Sequence, residues 1–168
     1  AALCFVVERN PATDYYFNWL LRVGLFKRDA FGKFMFAIDL DGFSATPLVS
    51  DPYEHLIVPG FLKPDAVTDM DRDYPPIKTS GSFPLETLAP GPAFAHFMKE
   101  LRGPAVCQAF SEKFGTDLTR YPTTITVRGH SQAKDGSIHT DTASKILTVL
   151  VYMNTEALAG DGGRLRIL

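Results

Sequence analysis

Residues 139–167, with the sequence HTDTASKILTVLVYMNTEALAGDGGRLRI, decide the fold prediction. The run from Lys145 to Met153 is apolar and rich in β-branched residues, which predicts a strand buried on both faces. Residues Gly163 to Leu168 predict another strand. His139 and Asp141 precede both strands, and residues two apart on an extended segment point to the same face.

A histidine and a carboxylate on one face can supply two ligands of a facial iron(II) site, which leaves positions open for oxygen and a co-substrate. We therefore predict His139 and Asp141 as metal ligands. His130 is the nearest further histidine, although loop histidines of this kind are commonly solvent-exposed. A hydrolytic zinc site of His130, His139 and Asp141 stays open, because zinc accepts the same ligand types. His55 and His96 are expected to pack in a strand and on a helix.

The order of patterns along the chain predicts an α+β domain with helices packed on a sheet, because helices come first and strands follow. Helical spacing predicts helices over residues 13–32, 64–72, 93–101 and 104–114, the last with Gly115 as its C-cap. Strand patterns cover residues 34–40, 55–58, 123–128 and 146–153. Pro, Gly and Ser residues predict a long surface loop over 73–92.

We expect two units along the chain. Residues 1–50 form an N-terminal extension of helix and strand, and Ser44 to Pro52 is a plausible linker. Residues 51–168 form the main domain.

Composition and charge limit the classes of partner and the compartment that the sequence favours. The formal net charge of -2 and the pI of about 6.1 give no reason to propose nucleic acid or an anionic membrane. No apolar stretch approaches the ~20 residues of a membrane span, and the apolar run at 1–7 is too short for a signal-peptide core. Cys4 and Cys107 lie far apart, which favours a reducing, cytoplasmic compartment and leaves a long-range disulfide open.

The series HTD, LTVLVYMN and GGRLRI resembles the prolyl-hydroxylase-like branch of the 2-oxoglutarate and iron(II)-dependent dioxygenases. The resemblance covers residues 123–168 and extends weakly to HLIVPGFL at 55–62. It implies a double-stranded β-helix (jelly-roll) core, iron(II), 2-oxoglutarate and hydroxylation of a substrate C–H bond. By position it makes His139 and Asp141 metal ligands, and it assigns the 2-oxoglutarate pocket to Arg128, Tyr152 and Leu165.

The same resemblance implies a distal histidine and an Arg or Lys that pairs with the far carboxylate of 2-oxoglutarate, tens of residues after the Gly-Gly strand. Because the sequence ends at Leu168, we expect an incomplete C-terminal part of the β-helix and a chain that is inactive alone. A second copy or another chain segment is expected to complete the sheet. The alternative is a non-catalytic interaction or scaffold domain with an oxygenase-derived fold. The substrate, peptidyl or small-molecule, stays open.

Overall fold

The computed structural model describes residues 36–128 and 145–153 in full and residues 2–8 by their backbone. The elements follow in the order β1 (Ala2–Glu8), α1 (Leu40–Ala45), α2 (Pro64–Arg72), β2 (Ser82–Pro84), α3 (Pro92–Leu101), α4 (Pro104–Phe114), β3 (Thr123–Arg128) and β4 (Lys145–Tyr152). Single turns of 3-10 helix follow β2 at Leu85–Thr87 and precede β3 at Leu118–Arg120. The chain is therefore a mixed helix and strand fold, as predicted at that level.

Helices α2, α3 and α4 confirm the predictions made from helical spacing. Each begins with a proline at its first turn, where the missing N–H is no loss and the fixed φ suits the helix. Helix α4 ends at Gly115, whose φ of 60° lies in the left-handed region that glycine tolerates best. Local sequence is sufficient to place these helices.

The sheet has the strand order β2-β3-β1-β4. Strand β1 pairs antiparallel with β3 on one side and with β4 on the other. Strands β3 and β4 therefore run parallel to each other, separated by β1. Their bounds confirm the predicted strands to within a residue, whereas β1 and β2 are strands that were not predicted.

The core lies between the helices and one face of this sheet. Strand β3 contributes Ile125 and Val127, and β4 contributes Val151, each at most 4% exposed. The helices contribute large side chains to the same cluster: Met70, Phe94, Phe97, Met98, Leu101, Val106 and Phe110. Burying an apolar side chain of this size contributes about 1.5–3 kcal/mol, so this layer dominates the stability of the described part.

Two predicted strands are wrong in the described residues. Of residues 36–40, the described part of the first predicted strand, only Ile38 makes a bridge, to Leu62, and Leu40 begins α1. The side chain of Asp39 accepts a hydrogen bond from the Gly42 amide at 3.0 Å and so caps the start of this helix. In the predicted strand 55–58, only His55 makes a bridge.

Two further expectations need correction. The predicted loop over 73–92 contains β2, because pairing with β3 gives these residues backbone partners. Strand β4 is not buried on both faces, since the described helices pack on one face and Thr148 and Tyr152 on the other are exposed. The predicted helix over 13–32 and the predicted strand over 163–168 lie outside the described residues.

The predicted division at residue 50 stays a prediction. Ala37, Ile38 and Phe43, which precede it, belong to the same core cluster as α3 and α4. The ring of Phe43 stacks on Phe110 with centroids 4.3 Å apart. The described end of the N-terminal extension thus packs into the main core.

Candidate functional site

The predicted site residues divide into two groups. Arg128 and Tyr152 are described, and they are the last residues of β3 and β4. The predicted ligands His139 and Asp141, the alternative ligand His130 and the pocket residue Leu165 lie outside the described residues. Their roles stay predictions.

Arg128 and Tyr152 occupy one row across the sheet. Both are Cα partners of Ala2, from opposite sides of β1. Directly paired residues point to the same face of a sheet, and two strand spacings separate these Cα atoms by about 10 Å. Because Val127 and Val151 point into the core, Arg128 and Tyr152 belong to the face opposite the helices. The structure therefore brings the two predicted pocket residues to the same end and face of the sheet.

The side chain of Arg128 leans away from Tyr152. Its Nε and Nη2 donate hydrogen bonds to Oγ of Ser82 at 3.1 and 2.9 Å, and Ser82 is its partner on β2. Among the described residues, no carboxylate lies within ion-pair distance of this guanidinium. Arg128 is thus a cation that a hydroxyl orients and that retains N–H donors for an anion.

The backbone of Arg128 is held from the other side of the sheet. The hydroxyl of Tyr74 donates to the Arg128 carbonyl at 2.8 Å, and the Tyr74 ring packs edge-on against Phe94 at 5.0 Å. Tyr74, which follows α2 and packs against α3, therefore positions the end of β3. Tyr74 and Ser82 were missed in the sequence, because 54 and 46 residues separate them from Arg128 and no local pattern connects them.

Tyr152 is 43% exposed on this face. The same face carries three threonines and the apolar Leu150 at alternate positions of β3 and β4; the threonines are Thr124, Thr126 and Thr148. This face also carries the positive charge of Arg128. It offers no described general base.

The described histidines lie elsewhere. His55 is in the segment before α2, with Nδ1 2.8 Å from the Tyr53 carbonyl, and His96 lies half-buried on α3 as predicted. Within residues 36–128 and 145–153, no group of three or more His, Cys, Asp or Glu side chains could hold a metal ion.

A shallow cavity of about 200 Å³ lies on the helical side. Its lining comes from one stripe of α3 and the loop before that helix: Leu85, Pro90, Ala95, Met98, Lys99 and Arg102. At its rim Arg102 pairs with Glu86 at 2.5 Å, and this hydrogen bond lowers the pKa of the Glu86 carboxyl. Neither Arg128 nor Tyr152 lines this cavity.

Comparison with known proteins adds no relative: no protein-family model, curated protein or solved structure matches this chain. The class that the structure defines is a protein of mixed helix and antiparallel sheet. No helix in the described ranges is long and apolar enough to cross a membrane.

Proposed function

We propose that this chain belongs to an iron(II) and 2-oxoglutarate-dependent oxygenase that hydroxylates a peptidyl or small-molecule substrate. The observation that carries the proposal is the series HTD, β4 and GGRLRI in the sequence, with Arg128 and Tyr152 in one row of the sheet. His139 and Asp141 are the proposed metal ligands. Arg128, Tyr152 and Leu165 are the proposed contacts of 2-oxoglutarate.

The topology supports a jelly-roll core. In such a fold successive strands alternate between two sheets, so alternate strands return to the same sheet in parallel. Strands β3 and β4 have this relationship, and Arg128 and Lys145 lie at opposite ends of the sheet. Residues 129–144, which join them, include both proposed metal ligands. A second sheet opposite the Arg128 face would complete the core.

The placement of the helices also supports the proposal. Among the described residues, the helices pack on the Val127 and Val151 face and not on the Arg128 and Tyr152 face. A guanidinium binds a carboxylate through charge-assisted hydrogen bonds, which are about twice as strong as neutral ones. For Arg128 to meet a carboxylate beside Tyr152, its guanidinium must turn away from Ser82. Iron(II) with 2-oxoglutarate, when bound, would supply the oxidising chemistry for C–H hydroxylation.

The test is iron-dependent conversion of 2-oxoglutarate to succinate, with Fe(II) binding measured in parallel. We expect His139→Ala and Asp141→Ala to abolish turnover and to weaken Fe(II) binding at least tenfold, since each removes a ligand. His96→Ala is the matched control, because His96 lies on α3, and it should leave both readouts unchanged. The protein is taken in the longest form that its gene encodes. If neither turnover nor His139-dependent metal binding is found, the oxygenase proposal is wrong.

The second candidate is a non-catalytic interaction domain with an oxygenase-derived fold. The bond from Arg128 to Ser82 favours it, because there the guanidinium ties β3 to β2 rather than facing Tyr152. The same assay separates the two candidates. Fe(II) binding without turnover of 2-oxoglutarate in the longest form would favour the interaction domain.

A further inference from the structure

Strand β1 fills a gap between two strands that do not contact each other directly. Its backbone pairs with β3 through residues 2–7 and with β4 through residues 2–8. It is nonetheless the first strand of the chain, far in sequence from both of its neighbours. The centre of the sheet is thus supplied by the segment with the longest-range pairing.

The gap cannot close without a strand. Without β1, strands β3 and β4 would face each other across about 10 Å, twice the normal spacing. The backbone N–H and C=O groups that β1 pairs would then lack partners, each at a cost comparable to a lost hydrogen bond. In the structure β1 runs antiparallel to both β3 and β4. Any extended apolar segment in that direction satisfies the same backbone groups.

We propose that the gap between β3 and β4 is a strand-acceptor site that also takes residues 2–8 of a second copy of this chain, so that two copies exchange β1 reciprocally. Residues 9–35 connect β1 to the described core and can span up to about 90 Å when extended, enough to reach the gap of a neighbour. The exchanged pair contains the same strand pairings as the single chain, which makes exchange a low-cost route to a dimer. This inference does not depend on the oxygenase proposal.

The protein concentration determines whether the chain's own β1 or the β1 of a second copy occupies the gap. A covalent connection as long as residues 9–35 gives the chain's own β1 an effective concentration on the order of 1 mM. The single chain should therefore fill its own gap at about 5 µM, and exchange should become substantial near 1 mM. Both states bury the same backbone groups, so the unpaired state stays rare at either concentration.

The register supplies a covalent test, since Cys4 is the Cα partner of both Thr126 and Leu150. Directly opposite residues have Cα atoms about 4.5–5.5 Å apart, within disulfide range. Two full-length versions are made with Cys107→Ser. One also carries Cys4→Ser and Thr126→Cys, and the other keeps Cys4 and Thr126. Neither version has both cysteines, so a bond between positions 4 and 126 forms only between copies.

The two versions are unfolded, mixed, refolded at about 1 mM or about 5 µM and mildly oxidised. We expect a covalent heterodimer at the higher concentration and at least about tenfold less at the lower. Thr124→Cys is the matched control: it lies two positions along β3, opposite Val6, at a diagonal distance of about 7–8 Å that a disulfide does not span. Leu150→Cys in place of Thr126→Cys should reproduce the heterodimer from the other side of the gap.

Two results would overturn the proposal. The first is a yield of heterodimer at about 1 mM that does not exceed the yield with Thr124→Cys. This result counts only if a single copy that carries both Cys4 and Thr126→Cys forms its internal disulfide, which shows that the two positions can be bonded. The second requires no substitution: unmodified chain refolded at about 1 mM that remains monomeric by light scattering rules out exchange. Failure of iron binding or of turnover leaves either result unaffected.

Discussion

Glu100 on α3 holds Ile38 through its backbone, across 62 residues of sequence. One carboxylate oxygen of Glu100 accepts a hydrogen bond from the Ile38 amide at 3.0 Å, and the other accepts from the Ala37 amide at 2.7 Å. Ala37 and Ile38 are 6% and 2% exposed, so water has little access to either residue. The Glu100 carboxylate thus accepts the backbone hydrogen bonds of this segment, as the carbonyls of a neighbouring strand would.

Removing that carboxylate should destabilise the fold strongly. Glu100→Ala leaves two amides of buried residues without acceptors, and each unsatisfied donor costs about 1–3 kcal/mol. We expect a loss of about 2–4 kcal/mol in the free energy of unfolding, measured by urea denaturation. Glu100→Gln, which retains one acceptor oxygen, should lose less. Glu112→Ala on α4 is the exposed control, and a comparable loss there would contradict this account.

Asp73 should make stability depend on pH in the acid range. Its carboxylate accepts a hydrogen bond from the Ala93 amide at 2.7 Å at the start of α3, and this bond lowers the pKa of Asp73 below its ordinary value. A lowered folded pKa means that the contribution is complete above the ordinary value of 3.8 and is lost as the pH falls below it. Asp73→Asn should flatten this part of the stability curve. Urea midpoints between pH 2 and pH 6 would measure it, and an unchanged curve would refute the assignment.

Gly91 should be the position where one methyl group disrupts this cap. A Cβ added there would lie 2.7 Å from both Cβ and Cγ of Asp73, closer than such atoms pack. We expect Gly91→Ala to displace the carboxylate and to lower the urea midpoint as Asp73→Ala does. The double variant should be little worse than either single one, since both remove the same contact. Additive losses would mean that Gly91 acts elsewhere.

Lys113 should stabilise the short helix α1 from outside it. Its Nζ donates to the carbonyls of Ser44 and Thr46 at 2.6 and 2.8 Å and lies 5.7 Å from the Phe43 ring centroid. Helix α1 carries no basic residue in its own last turn, so Lys113 supplies the cation that a helix C-terminus favours. We expect Lys113→Met to cost about 1 kcal/mol by thermal or urea unfolding. Faster hydrogen exchange at residues 43–46 should accompany it, and Lys113→Arg should retain most of the stability.

Ser82 should restrain Arg128 in the oxygenase proposal. Ser82→Ala removes the acceptor that holds the guanidinium toward β2, so it should strengthen 2-oxoglutarate binding, whereas Arg128→Ala should weaken it. Titration calorimetry with 2-oxoglutarate and Fe(II) would measure both dissociation constants. Equal weakening in the two variants would mean that the hydrogen bond between Ser82 and Arg128 positions the site rather than competing with the ligand.

The elements predicted correctly share a local cause. Prolines at the first turns and Gly115 at the end define α2, α3 and α4, and β-branched runs define β3 and β4. Helix α1 was missed because residues 36–40 are apolar enough to predict a strand. In the structure Asp39 caps the helix start, the distant Glu100 binds the amides before it, and the distant Lys113 binds the carbonyls at its end. Of the candidate site, the sequence proposed Arg128 and Tyr152 but carried no sign of Ser82 or Tyr74.

The sequence by itself determined where the main helices and the two β-branched strands begin and end, because capping, proline geometry and side-chain branching act within a few residues. It also proposed His139 and Asp141 as a pair. Tertiary structure alone decided that β1 lies between β3 and β4, that Arg128 and Tyr152 share one row, and that Arg128 turns toward Ser82. Strand order and cross-strand contacts depend on backbone pairing, which is indifferent to side-chain identity and joins residues more than a hundred positions apart.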